Sequence, residues 1–152
     1  MFNATCEIPQ DNPPSEEIRA ILESCRTIAV VGLSPKPQRD SHQVAKYMQD
    51  HGYTIVPVNP GQKEILGQTC YRGLKAIPFP VDVVNIFRRP DAVPPIVDDA
   101  IAIGAKVVWM QLGIANNSAA QKARTAGLKV VQSKCIKIEH MKGAHHAHCG
   151  PR

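Results

Sequence analysis

Residue types suited to holding an anion are concentrated in one short stretch, Gly32-Leu33-Ser34-Pro35-Lys36-Pro37-Gln38-Arg39. A turn glycine, a hydroxyl, two cations and backbone amides stand directly before a helix-forming segment. The unpaired N–H groups and dipole of a helix N-terminus attract anions. Cations at the same place oppose that dipole unless something negative lies between. A phosphate beside Lys36 or Arg39 satisfies both demands; an ordinary solvated turn is the alternative. The spacing is not G-x-G-x-x-G, so the usual dinucleotide fingerprint is absent.

Three further segments carry polar or aromatic groups at the ends of apolar runs. Asn59-Pro60 follows YTIVPV where a nicotinamide dinucleotide site normally has an acid to accept from the ribose hydroxyls. Lys63 comes next instead, which suits a ligand with a phosphate on its ribose, NADP included; a simple turn is the other reading. Phe87-Arg88-Arg89-Pro90 offers a ring and two guanidiniums to an adenine or a phosphate, or is a solvated charge pair. Gln111-Leu112-Gly113-Ile114 supplies an amide and a glycine that lets backbone approach a ligand closely, or is plain turn chemistry.

Catalytic groups are harder to assemble. A nucleophilic cysteine needs a base within hydrogen-bond reach. Cys135 and His140 are the suggestive neighbours, but their five-residue spacing shares neither a strand face nor a helix face. Cys135 is expected to pack as a small hydrophobe; a mixed disulfide with a thiol ligand is the alternative role for it. Asp98 and Asp99 are expected to solvate the outer face of a helix. His145, His146, His148 and Cys149 are metal-ligand types in an expected tail, without the folded turns that fix a structural site. No catalytic residue and no metal site is expected.

The elements that must position these groups follow from periodicity. Ser15 is expected to cap a first helix with Ile18, Ile21, Leu22 and Cys25 on one face. Thr27–Val31 is a β-branched run, as in a strand buried on both faces. Asp40 or Ser41 then caps a helix with Val44, Tyr47, Met48 and His51 on one side, ending at Gly52. Tyr53–Val58 is a second strand whose Pro57 suggests an edge or a strand end. Residues 62–80 show little beyond the apolar pair Ile65 and Leu66 and a brief helix around Arg72–Ala76. Asp82–Phe87 is a third strand. Asp91 is expected to cap a helix with Pro94 and Pro95 in its first turn and Val97, Ala100 and Ile101 toward the sheet. Lys106–Met110 is a fourth strand, Asn116 or Asn117 caps a further helix ending at Gly127, and Leu128–Val131 is a fifth strand. This alternation predicts an α/β, Rossmann-like parallel β-sheet with helices on both faces in a single domain, its ligand beyond the carboxyl ends of the strands.

Composition sets the outer bounds. The 152 residues suit one compact domain. Residues 1–14 are expected as an N-terminal lead-in, 15–141 as the domain and 142–152 as a flexible His-containing tail. With 43% hydrophobic and 20% charged residues, the chain matches globular rather than disordered proteins, and its apolar runs are too short to span a membrane. Eighteen Lys and Arg against thirteen Asp and Glu give a net charge of +5, which fits a phosphorylated partner. Aromatic residues are only 5% and are not interleaved with the basic ones, which disfavours nucleic acid. Five scattered cysteines and an N-terminus without a secretory pattern point to a cytoplasmic protein.

The ordered set VVGLSPKPQRDSHQVAKYM, GYTIVPVNP with the following ILG, VDVVNIFRRPDAV, GAKVVWMQLGI and CIKIEH resembles the small bacterial CoA-binding proteins, related to the CoA-binding domain of the succinyl-CoA synthetase alpha subunit. The resemblance covers most of the chain. It implies coenzyme A, free or acylated, across the strand ends. Gly32, Ser34, Lys36 and Arg39 would lie at its phosphates, and residues around Asn59-Pro60 and Phe87 to Arg89 beside the nucleotide. The expected ligand-binding set is therefore Gly32, Leu33, Ser34, Lys36, Arg39, Asn59, Pro60, Phe87, Arg88, Arg89 and Gln111. The synthetases also use a phosphorylated histidine and further domains, for which a chain of this length lacks room, so binding rather than reaction is carried over. The rival readings are an NAD(P)-dependent oxidoreductase and a ligand-sensing regulatory module.

Overall fold

The structure, a computed structural model, describes residues 7–147. Five strands form one parallel sheet: β1 (Thr27–Val31), β2 (Thr54–Val58), β5 (Val83–Ile86), β6 (Val107–Met110) and β7 (Lys129–Val131), in spatial order β2-β1-β5-β6-β7. Every residue of β5 and β6 is buried, as their unbroken apolar or near-apolar sequences require when helices cover both faces. Pro57 lies in β2, an edge strand, where the missing N–H costs least. A small hairpin, β3 (Glu64–Ile65) with β4 (Gln68–Thr69), and a 3-10 turn Leu74–Ala76 occupy the segment that periodicity leaves unread.

Alternation along the strands divides the core in two. Ala29, Val31, Val56, Val84, Ile86, Val108 and Met110 face α3 (Val93–Ala102) and α4 (Asn117–Thr125) through Val93, Val97, Ala100 and Ala120. Ile28, Val30, Ile55, Val83 and Trp109 face α1 (Ser15–Ser24), α2 (Asp40–Asp50) and α5 (Ile136–Ala147) through Ile18, Leu22, Val44, Met48 and Ile136. This is a three-layer α/β/α arrangement. Among the described residues no helix is long and apolar enough to cross a membrane.

Several caps differ from expectation. Ser15 is the first helical residue rather than the cap, with Pro14 preceding it and accepting from the Glu17 and Ile18 amides. Arg39 holds the cap position of α2, and Ser41 turns inward to accept from the Ser34 amide at 3.0 Å. Asp91 lies in a 3-10 turn ahead of α3, whose cap position is Ala92. Asn116 caps α4 as expected, accepting from Ala119 N at 3.0 Å.

Described structure lies on both sides of residues 15–141. Residues 142–147, expected as tail, continue α5, which packs against α1 and α2. Residues 148–152, with His148 and Cys149, lie outside the described residues. At the other end, residues 7–14 of the expected lead-in are anchored. Glu7 Oε1 accepts from Asn117 N at 2.8 Å, Asn117 Nδ2 donates to Ile8 O, and Asn12 exchanges hydrogen bonds at 2.8 Å with the backbone of Gln132. Polar side chains on this segment meet backbone groups left open at the ends of β7 and α4, which fixes it.

Candidate functional site

The strand order reverses across β1. The chain leaves β1 for β2 on one side, then returns to place β5 on the other, which puts the switch point between the carboxyl ends of β1 and β5. Loops after β1, β2 and β5 diverge there. Two clefts open between them and share Gly32 and Asn59. One, of about 540 Å³, lies against the start of α2 and is lined by Ser34, Lys36, Arg39, Ser41 and Phe87, among others. The second, of about 400 Å³, lies toward α3, with apolar walls from Val31, Val58, Leu74 and Ile96 and with Pro60, Arg72, Arg88 and Asp99.

The saddle between the clefts is held by backbone and amide bonds. Gly32 N donates to Val58 O at 3.0 Å, and Phe87 N to Val31 O at 2.9 Å. Asn59 Nδ2 donates to Leu33 O at 3.0 Å, while its Oδ1 accepts from Gly61 N at 2.9 Å, so this side chain ties the β1 and β2 loops together. Behind it, Cys70 Sγ donates to Asn59 O at 3.4 Å. Burial pushes the Cys70 thiol up, which keeps it protonated at neutral pH.

The first loop presents fewer free amides than its composition suggests: of its six N–H groups, those of buried Leu33 and exposed Gln38 alone have no partner among the described residues. Gly32, Ser34, Lys36 and Arg39 donate to Val58 O, Ser41 Oγ, Ser34 Oγ and Lys36 O respectively. Compaction of a proline-rich turn engages them internally. What remains for an anion is the Gln38 amide and the first turn of α2, where Asp40, Ser41 and His42 have no intrahelical acceptor, together with the Lys36 and Arg39 side chains. His42 Nδ1 lies 2.9 Å from Ser34 O and braces the loop from behind.

The expected ligand-binding residues separate into three groups. Gly32, Ser34, Lys36, Arg39, Asn59 and Phe87 line the first cleft, and Pro60 and Arg88 the second. Leu33 is fully buried in the core and contributes only its carbonyl. Arg89 and Gln111 line neither cleft: Arg89 projects into solvent and pairs with Asp91 at 3.5 Å, and buried Gln111 accepts from Ile136 N at 3.1 Å at the start of α5. Lys63 also lies outside both. Arg72 is the addition that periodicity does not reveal. Tyr71 N donates to Pro57 O and Asn59 N to Tyr71 O, both at 2.9 Å, in a parallel bridge that fixes the backbone next to Arg72 beside the end of β2.

Ion pairing combined with position picks out the cleft cations. Lys46, Lys75, Arg89, Lys106, Lys122 and Lys142 each have a carboxylate within ion-pair distance. Among the described residues Lys36, Arg39, Arg72 and Arg88 have none, as is also true of Arg19, Arg26, Lys63, Arg124, Lys129, Lys134 and Lys137, but only the first four line the clefts. The acids in the clefts are Asp40, at the first position of α2, and Asp99, held by Lys75 at 3.6 Å. His140 lies elsewhere, its Nδ1 2.9 Å from the Tyr47 hydroxyl between α2 and α5. Half-buried Cys135 packs on the same core face. No group of three or more His, Cys, Asp or Glu is placed to hold a metal among the described residues.

Known proteins share both sequence and fold with this chain. The uncharacterized protein YneT of Bacillus subtilis is 44% identical over 129 residues, 85% of this chain and 96% of that protein. A hypothetical protein from Pyrococcus horikoshii OT3, of known structure, superposes with a TM-score of 0.86 at 42% identity, over 95% of this chain and 99% of that one. The ADP-forming acetate–CoA ligase I of Archaeoglobus fulgidus is 26% identical over 121 residues, 73% of this chain but 18% of the ligase. The CoA binding domain matches residues 26–141, which contain β1 to β7 and both clefts, and the chain belongs to that family.

Proposed function

We propose that the chain binds coenzyme A, free or acylated, across the switch point, with nucleotide and phosphates in the two joined clefts, and that it holds this ligand without transforming it. The observation that carries the reading is the set of four cations without acid partners around the Gly32–Asn59 saddle, in a domain of the CoA binding family. Charge-assisted bonds from guanidinium and ammonium groups to phosphate are the strong ones available to such a rim. The first turn of α2 adds backbone donors and a favourable dipole. Apolar walls in the second cleft suit a flat ring. The side chains lining the clefts are cations, amides, hydroxyls and apolar groups, with two carboxylates, Asp99 tied to Lys75 and Asp40 at the first position of α2. That inventory suits holding a ligand better than moving protons or acyl groups.

Calorimetric titration of the reduced protein with coenzyme A, NAD and NADP at one ionic strength tests the reading. Saturable binding of coenzyme A, with weak or absent heats for the other two, is the expected result. Binding of NAD or NADP alone would overturn it in favour of a redox role. Acetyl-CoA incubated with the protein should retain its thioester absorbance, and steady loss of that signal would contradict the holding role.

A further inference from the structure

We infer that Arg72 and Arg88 read a phosphate on the ligand's ribose, and that Arg72 is the residue that separates coenzyme A from its dephosphorylated form. This rests on the coenzyme A reading above. The two clefts differ in a way that assigns different phosphates to each. The first has a helix N-terminus and the flexible Lys36 and Arg39, suited to a bridging diphosphate whose charge is spread along the chain of the ligand. The second has no α-helix N-terminus among its lining residues, only the start of the 3-10 turn at Gly73 and Leu74, but has two guanidiniums beside apolar walls. Two planar forks match the oxygens of a terminal phosphate, which is more highly charged than a phosphodiester and offers more acceptors.

Position supports the pairing. Arg88 folds back across the turn at Gly32, its Cδ 3.0 Å from where a Cβ there would stand. Arg72 reaches the same cleft from the β2 side, on backbone pinned through Tyr71 to both Pro57 and Asn59. Neither guanidinium has an ion-pair partner among the described residues. Asp99 stands in the same cleft on α3, held by Lys75. Its carboxylate repels phosphate and accepts from N–H or O–H donors, so it confines a phosphate to the arginine side. Because the clefts share Gly32 and Asn59, a single ligand with two separated anionic groups can occupy both.

The test is titration of wild type, Arg72→Ala, Arg72→Lys and Arg39→Ala with coenzyme A and dephospho-CoA, folding being checked by the emission of the single tryptophan, Trp109. Wild type should prefer coenzyme A. Arg72→Ala should weaken coenzyme A by roughly tenfold or more, the scale of one lost charge-assisted bond, and leave dephospho-CoA nearly unchanged. Arg72→Lys should recover part of the loss, whereas Arg39→Ala should weaken both ligands alike. If coenzyme A binds but Arg72→Ala weakens both ligands equally or neither, the assignment of Arg72 is wrong while the coenzyme A reading stands. If wild type binds neither ligand, the coenzyme A reading falls and takes this inference with it.

Discussion

Gly32 and Phe87 meet so closely at the switch point that a Cβ on Gly32 would lie 2.6 Å from the Phe87 carbonyl oxygen. Gly32 also has φ +88°, a conformation that costs an L-residue energy before any clash is counted. Gly32→Ala should therefore push the β1 and β5 loops apart and destabilise the domain by about 1–3 kcal/mol. Trp109, fully buried and donating to Lys134 O at 2.8 Å, is the chain's only tryptophan, so its red shift in urea reports unfolding. A lower midpoint together with weaker coenzyme A binding is expected. An unchanged midpoint and unchanged affinity would show that the close approach matters to neither.

Much of this arrangement is legible before any coordinates, for identifiable reasons. Thr27–Val31 begins and ends where its β-branched run does, because burial on both faces leaves no polar residue inside it. The loops after β1, β2 and β5 can be singled out because the topology alone brings strand ends together. Which side chain reaches a cleft is harder. Arg88 and Arg89 are adjacent and chemically alike, yet one lies over Gly32 and the other pairs with Asp91 in solvent. Gln111 has the chemistry of a ligand contact but serves the start of α5, a helix hidden in the weakly patterned segment CIKIEHMKGA. Arg72 reaches the site through the Val58 to Tyr71 bridge, a tertiary contact with no local periodicity.

Asp82 sits at the opposite end of the sheet and should govern acid stability without touching the ligand. Its carboxylate accepts from Arg26 N at 2.8 Å and Thr27 N at 3.1 Å and lies 3.4 Å from Lys106 Nζ. Burial alone would raise its pKa, but the two amides and the lysine outweigh that and hold it below the ordinary carboxylate range. The unfolded value is about 3.9. A depressed folded value stabilises the domain above the unfolded pKa, and the contribution is lost as pH falls through the folded one. Asp82→Asn should cost about 1–3 kcal/mol at neutral pH. The gap from wild type should narrow as pH falls below about 4. Urea midpoints at pH 7 and pH 3 check this, and a gap that stays constant across that range would refute the charge argument.

Gln132, fully buried at the end of β7, joins the N-terminal segment to the start of α4. Its Oε1 accepts from Asn116 N at 2.7 Å, its Nε2 donates to Asn117 Oδ1 at 3.0 Å, and its backbone pairs with Asn12. Gln132→Leu keeps much of the volume but strips the Asn116 amide of its acceptor. A buried donor left without a partner costs about 1–3 kcal/mol. The lower urea midpoint should be accompanied by faster proteolytic cleavage within residues 7–14, since Asn117 then loses one of the groups orienting it toward Ile8. Lower stability with unaltered cleavage would mean that the N-terminal segment is held independently of Gln132.

If the four cleft cations hold phosphate, the affinity for coenzyme A must fall as salt rises, and the steepness must depend on how many of those cations remain. At about 0.15 M salt the screening length is about 8 Å, so exposed cations act on a bound phosphate only from close range. Lys36 and Arg39 are exposed, and both line the first cleft. The double variant Lys36→Gln, Arg39→Ala should bind more weakly at low salt and show a flatter decline of affinity with ionic strength. Lys46→Gln alters a lysine that is also exposed but already paired with Asp50 on α2, at a site lining neither cleft. Removing it changes the net charge by the same unit as a single cleft substitution, so it separates general attraction from local contact. Titrations at three salt concentrations should give parallel wild-type and Lys46→Gln lines and a shallower one for the double variant. Three parallel lines would mean that phosphate is held elsewhere and that the cations around the first loop are ordinary surface charges.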